Sequence, residues 1–212
     1  MILLFTACFI IVFKASKTIG SKERLYNLQR ETAKIKFNIL NIKAQLSDTI
    51  CETGNVGFIY GNPDSVHDIG VYVSVSCSHC GKAVKELRRV IDIYPDFGYR
   101  LIFSVKSDDV EDKTNLIVRH FINLHNTMNI NEFFDMLDAW YAMPNKILEV
   151  FQKTFPSQVV QDSTAEIDML YQFNQHNGIG HTPAILLNGR LLSQLYSYAD
   201  LFGITRTINA EE

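Results

Sequence analysis

Cys77-Ser78-His79-Cys80 is the stretch whose residue types and spacing speak most directly of chemistry. Two thiols separated by two residues can close into a small strained ring when the first of them begins a helix. Backbone N–H groups and the helix dipole there favour the thiolate of that first cysteine. On this spacing Cys77 is the attacking sulfur and Cys80 the resolving one, so the pair itself is the redox centre and needs no other cofactor. A protonated His79 beside the Cys77 thiolate would stabilise the reduced form and make the disulfide more oxidising. Other readings of the same residues stay open at this point. Half of a zinc site is one, although a structural site takes four ligands and the chain adds only Cys8, Cys51 and scattered histidines. A c-type haem would need histidine directly after the second cysteine, where Gly81 stands. His79 read simply as a solvated polar residue is another.

The elements that must position these thiols follow from periodicity. Ile69 to Ser76 alternates as a strand leading into the cysteines. Ala83, Val84, Leu87, Val90, Ile91 and Tyr94 repeat at helical spacing after them, and Pro95 stops the helix. Leu101 to Val105 reads as a buried strand, parallel to the first through the crossover helix. Val56 to Tyr60 is a shorter strand, closed by the turn cluster Gly61-Asn62-Pro63-Asp64. From about 109 to 178 the pattern is three or four helices with aromatic positions that read as core, more than a connection between strands requires. Pro144 suits the first turn of one of these helices, and Ser163-Thr164-Ala165-Glu166 reads as a capping box closed at the far end by Gly178. Thr182-Pro183 then precedes Ala184 to Leu187, Asn188-Gly189 and Arg190 to Leu192, a hairpin pattern. Pro183 lacks the ladder donor, so it must start its strand, and its bond to Thr182 is a candidate cis peptide. Ser197 to Ile204 closes the chain as a helix with Leu201 and Phe202 inward.

Upstream, residues 1–13 form an apolar segment, too short to span a membrane comfortably and read as a membrane anchor trimmed at its front. Residues 14–53 read as a helical stalk, with Leu25, Leu28, Thr32, Ile35, Ile39, Ile42 and Leu46 in three-four alternation and Gly54 and Gly57 ending it. The remainder, 54–212, is expected to be one domain. A net charge of -3 over 212 residues, with no basic stripe among aromatics, argues against a nucleic-acid partner.

With those residues in hand, the chain resembles the thioredoxin superfamily from about 56 to 207, the specific part being Cys77-Ser78-His79-Cys80 together with Thr182-Pro183. The histidine before the second cysteine and the helical insertion resemble its DsbA-like branch. Gly61-Asn62-Pro63, the run from Ile69 through Lys82, and His181 through Arg190 are similar to the thioredoxin-like domains attached to bacterial vitamin K epoxide reductase homologues. The resemblance implies an α/β thioredoxin-like fold with an inserted helical layer behind a membrane-proximal stalk. It implies Cys77 as nucleophile, Cys80 as resolving thiol, Pro183 as the cis-proline facing them, and Thr182 as the residue whose backbone pairs with a peptide substrate.

The expected activity is that of a membrane-tethered thiol-disulfide oxidoreductase, forming disulfides in cysteine-containing proteins or peptides or relaying their electrons to a vitamin K epoxide reductase-like, quinone-reducing membrane partner. A reductase of the same fold, or a non-catalytic peptide-docking module, is the alternative. Ser78 departs from the proline that oxidant members often carry there. Lys14, Lys17, Lys22 and Arg24 would hold the following domain in the cytoplasm by the positive-inside rule. The resemblance instead places it at the periplasm or cell exterior, where disulfides persist, and that is the expectation adopted.

Overall fold

The computed structural model describes residues 20–157 and 162–211. The apolar segment expected over residues 1–13 lies outside the described residues. The chain divides into two compact units, one ending at Ala44 and one beginning at Gln45.

In the first unit residues 20–36 are helical (α1), and α2 follows over Ile39–Ala44. One continuous helix through Leu46 was the expectation, and Asn38 is where it breaks. The Asn38 side chain accepts the Leu40 N–H at 2.9 Å, a local bond that starts a new helix. Leu25, Leu28 and Ile35 of the apolar stripe are exposed. No described helix is long and apolar enough to cross a membrane.

The second unit opens with a strand where the stalk was expected to continue: β1, Leu46–Ile50. It pairs antiparallel with β6, Leu46 opposite Leu192 and Ile50 opposite Arg190, with an irregularity between. Side chains stitch that irregular stretch. The Arg190 guanidinium donates to the carbonyls of Ser47 and Asp48 at 2.9 and 2.8 Å, and Ser47 Oγ accepts the Leu191 N–H at 3.0 Å. Of the expected stalk, only the described part up to Ala44 is therefore helical.

The remaining strands are β2 (Phe58–Gly61), β3 (Asp68–Val73), β4 (Gly98–Phe103), β5 (Ala184–Leu187) and β6 (Arg190–Leu192). Their order across the sheet is β1-β6-β5-β3-β4-β2. β3 and β4 run parallel through helix α3 (Cys80–Ile93), and the other pairings are antiparallel. β3 is buried on both faces rather than on one, because helices pack on each side of it. Its Tyr72 ring meets Phe173, and the Tyr72 hydroxyl sits between Ser104 Oγ, at 2.8 Å, and Asn174 Oδ1.

The strand begins in a clamp. Asn188, at φ 49°, donates its N–H to the Asp68 carbonyl (2.8 Å) and accepts the Asp68 N–H on its side chain (2.7 Å), while Asp68 Oδ2 accepts Arg100 Nε–H at 2.7 Å. Asn188 and Gly189, both at positive φ, form the expected hairpin turn. Glycine is required at 189, since a Cβ there would lie 2.6 Å from the Cys51 carbonyl oxygen.

Four helices make the inserted layer: α4 (Lys113–His125), α5 (Ile130–Ala142), α6 (Leu148–Thr154) and α7 (Thr164–Asn177). Its aromatic residues are core: Trp140, Phe121 and Phe151 are fully buried and meet edge to face at 5.1–6.0 Å. Two local expectations fail for identifiable reasons. Ser163 makes no cap bond, because Asp162 takes the Thr164 N–H at 3.0 Å with a carboxylate that the helix N-terminus favours. A capping box forms instead at Asn129 and Glu132. Pro144 precedes α6 by four residues because Lys146, at φ 46°, turns the chain and donates Nζ to the Tyr141 and Met143 carbonyls closing α5. A short 3-10 turn, Tyr198–Asp200, leads into α8, Leu201–Asn209. Leu201 is buried, but Phe202 stays half-exposed beneath the Arg89 guanidinium, 4.5 Å from its ring centroid.

Candidate active site

After Val73 the chain leaves the sheet, turns through residues 74–79 and enters α3 at Cys80. Cys77 thus lies ahead of the helix rather than being its first residue, as the spacing alone suggested. The turn is held by Cys77 N–H on the Ser74 carbonyl (3.3 Å) and Cys80 N–H on the Cys77 carbonyl (3.2 Å). Both cysteines are free thiols.

Their environments differ sharply. Cys77 is half-buried, and its Sγ–H donates to the Thr182 carbonyl at 3.5 Å, across the cis Thr182–Pro183 bond from the start of β5. Burial by itself would raise the Cys77 thiol. It is outweighed by hydrogen bonds from the Cys80 thiol, the Thr182 side chain and the backbone N–H groups of Cys80 and His79, so the thiol lies below its ordinary value. Cys80 is fully buried and its thiol is pushed up to about 12, by desolvation first and then by the neighbouring Cys77 charge, against a bond accepted from the Ser74 N–H at 3.4 Å.

The sequence-predicted residues Cys77, Cys80, Thr182 and Pro183 are therefore brought together. His79 is present through its backbone, whose N–H serves Cys77. Its imidazole is exposed and, among the described residues, makes no hydrogen bond or ion pair. Among the described residues no group of three or more His, Cys, Asp or Glu is placed to share a metal ion. Cys51, the described partner for a zinc reading, is buried beside the hairpin turn, its N–H on the Gly189 carbonyl at 2.7 Å.

Sequence reasoning missed three contributors. Trp140 Nε1–H donates to the Val75 carbonyl (2.9 Å), and the Tyr141 hydroxyl donates to the Ser74 carbonyl (3.1 Å). Gly81 lets the inserted layer come this close, since a Cβ at that position would be 2.6 Å from Tyr141 Cβ. The signal was that a buried tryptophan and a half-buried tyrosine each need a partner for a polar end, which the core assignment of these aromatics left out. Charge pairs add to the α3–α5 contact, with Arg88 Nη1 on Asp135 at 2.5 Å and Lys85 Nζ 3.8 Å from Asp138.

The family model described as thioredoxin matches residues 53–205. No curated protein matches the chain. Among solved structures, a Proteus mirabilis ScsC variant aligns with a TM-score of 0.57 at 12% identity, covering 92% of each chain. Reduced DsbA1 from Neisseria meningitidis aligns at 0.54 and 14%, over 74% of this chain and 93% of its own. A periplasmic thioredoxin-like protein from Salmonella enterica serovar Typhimurium aligns at 0.55 and 12%, over 75% and 94%. The strands, the helices added to them and the helical amino-terminal region make a mixed α/β thioredoxin-like fold with DsbA-like structural neighbours.

Proposed function

The chain belongs to the thioredoxin family, and on that premise we propose that it is a thiol-disulfide oxidoreductase working through Cys77 and Cys80. The observation that carries this reading is the asymmetry of the pair: an accessible thiol held low beside a buried one pushed up to about 12. In the reducing direction the Cys77 thiolate attacks a substrate disulfide, forming a mixed disulfide and releasing one substrate thiolate. Cys80 then gives up its proton and attacks Cys77 Sγ. The second substrate thiolate leaves, and the two electrons gained by the substrate come from the Cys77 and Cys80 thiols, which are left joined as a disulfide. Oxidation of a substrate dithiol is the same path reversed.

Thr182 supplies the docking edge. Its carbonyl accepts from the Cys77 thiol, a bond that vanishes when Cys77 is a thiolate or disulfide, leaving that oxygen for an N–H of an extended cysteine-containing peptide. Main-chain pairing of this kind tolerates many side chains.

We further propose that the domain works outside the cytoplasm, tethered to a membrane, forming disulfides or passing electrons to a vitamin K epoxide reductase-like partner. The motif resemblance and the periplasmic relative support the location, and the upstream apolar segment supports the tether. A net reductase is the second reading, favoured by one observation: among the described residues the exposed His79 ring makes no hydrogen bond through which to bias the couple. Insulin reduction and dithiol-peptide oxidation, with Cys77→Ala as control, test the activity. Turnover lost in the control supports an enzyme, whereas peptide binding without turnover supports a docking module. A glutathione redox titration of His79→Ala decides the ring's role. If the imidazolium stabilises the thiolate, the potential moves in the reducing direction by about 30 mV for each 1.4 kcal/mol, and an unchanged potential leaves the ring a solvated group.

A further inference from the structure

Ser74 joins the two cysteines to the inserted layer. Its N–H donates to Cys80 Sγ at 3.4 Å, and its carbonyl accepts both Cys77 N–H at 3.3 Å and the Tyr141 hydroxyl at 3.1 Å. The side chain is engaged as well, with Ser74 Oγ 3.0 Å from Ser76 Oγ. Cys80 Sγ is buried, and the Ser74 N–H is the backbone donor that lowers its thiol against desolvation. That N–H belongs to the Val73–Ser74 peptide unit, whose carbonyl accepts the Ser104 N–H at 2.7 Å, while the next unit, which carries the Ser74 carbonyl, lies beyond β3; the aim of the donor at the sulfur depends on both.

Tyr141 fixes the second of these units from outside. Its ring is wedged against Gly81, with a notional Cβ at 2.6 Å from Tyr141 Cβ and 2.9 Å from Cγ, so the phenol is registered to the start of α3 and to the loop before it at once. The neighbouring Trp140 holds the next carbonyl, Val75, at 2.9 Å. Desolvation, followed by the charges of the nearby Cys80 and Cys77, raises the Tyr141 phenol well above its ordinary value, which keeps it a neutral donor.

Resting on the oxidoreductase reading above, we propose that Tyr141 is a positioning residue for the resolving thiol, holding Ser74 so that its N–H stabilises developing charge on Cys80. The step it serves is attack of the Cys80 thiolate on Cys77 Sγ in the mixed disulfide. The Cys77–substrate sulfur bond breaks, the Cys77–Cys80 bond forms, the substrate sulfur leaves as thiolate, and the Cys80 proton passes to solvent. In reverse, the same N–H stabilises Cys80 as the leaving thiolate. Formation of the mixed disulfide is not served in this way, because Cys77 draws on the N–H groups of His79 and Cys80 instead.

Tyr141→Phe keeps the ring against Gly81 and deletes only the hydroxyl. Reduced protein is mixed with glutathione disulfide in stopped flow. Appearance of the Cys77–glutathione mixed disulfide and its Cys80-dependent decay are followed separately, across pH, with Cys80→Ser trapping the first step. For Tyr141→Phe the expected result is unchanged formation, decay slower by about threefold to tenfold, the effect of one hydrogen bond, and a decay inflection at higher pH. A structural role alone would slow both steps or neither. Equal decay rates and pH profiles in Tyr141→Phe and the parent overturn the proposal while leaving the oxidoreductase reading intact. Absence of any mixed disulfide in the parent protein overturns both. Trp140→Phe, which spares Tyr141, is the second variant: decay slowed in it as much as in Tyr141→Phe would assign the effect to general loosening of the loop, and that too refutes the proposal.

Discussion

Replacing Gly81 with alanine isolates the contact between the inserted layer and the cysteine helix. Taken alone the change favours the fold, because glycine in a helix is about 0.8–1 kcal/mol worse than alanine. Here, however, the new Cβ would stand 2.6 Å from Tyr141 Cβ and 2.9 Å from its Cγ. The first of those atoms is fixed directly to the α5 backbone, so turning the phenol ring does not relieve it. One helix has to move against the other, and overpacking of this kind costs about 1–3 kcal/mol. Drawing Tyr141 back also stretches its 3.1 Å bond to the Ser74 carbonyl, a loss of about 1 kcal/mol. Set against the helix gain, the net destabilisation should be about 1–3 kcal/mol. Urea unfolding of the dithiol form reads it as a lower midpoint at unchanged slope. In a Tyr141→Gly background both opposing atoms are gone, and the same Gly81→Ala change should become stabilising by about 1 kcal/mol. A Gly81→Ala effect of the same sign and size in both backgrounds would refute the reasoning.

Iodoacetamide labelling across pH should modify Cys77, whose thiol lies below its ordinary value, near neutrality, and should leave Cys80 unmodified until strongly alkaline pH; faster labelling of Cys80 at neutral pH would reverse the role assignment. Because the folded Cys80 thiol is raised to about 12, the unfolded chain releases that proton first. The dithiol form should therefore lose stability as pH rises above the ordinary thiol range, and Cys80→Ser should flatten the loss. Burial lowers His125, whose ring sits 4.6 and 4.8 Å from those of Phe58 and Phe133. Its contribution is present above the ordinary histidine value and is lost as pH falls through it, so His125→Phe should unfold less readily in acid, and identical acid profiles count against this. Gly189→Ala, at φ 74° and 2.6 Å from the Cys51 oxygen, should cost at least about 2 kcal/mol in thermal unfolding; an unshifted Tm would contradict the turn geometry.

What could be read in advance follows where local chemistry decides structure. That Cys77, Cys80, Thr182 and Pro183 come together was legible because the motif pairing attaches to residue type and spacing, and Asn188-Gly189 because few other pairs adopt positive φ twice in succession. β1 was not legible, since Ser47, Asp48 and Thr49 show no apolar alternation. That strand exists through the Arg190 guanidinium and Ser47 Oγ, contacts more than 140 residues apart in sequence. The capping box at Ser163 was misplaced because one residue earlier Asp162 offers a charged competitor. His79 marks a subtler limit. The pattern drew attention to its ring, whereas the backbone N–H that serves Cys77 would be supplied by any residue except proline at that position. Trp140 was assigned correctly to the core and Tyr141 is half-buried at its edge, but which carbonyls their polar ends would find depended on how α5 meets the turn after β3.

The clamp of Asn188, Asp68 and Arg100 has a consequence for motion. It ties β3 at its first residue, about 16 Å from Val73 at strand rise, while the turn carrying the cysteines is held largely by single bonds to Ser74 and Val75. Thermal opening should therefore begin at the thiol end and fade before it reaches the hairpin. Amide hydrogen exchange would show this as a gradient from the strand into the turn, with the N–H groups of Asp68 and Asn188 among the slowest and that of the exposed Ser76 among the fastest. A substrate prying at the cysteines would then meet a loop that yields on a sheet that does not.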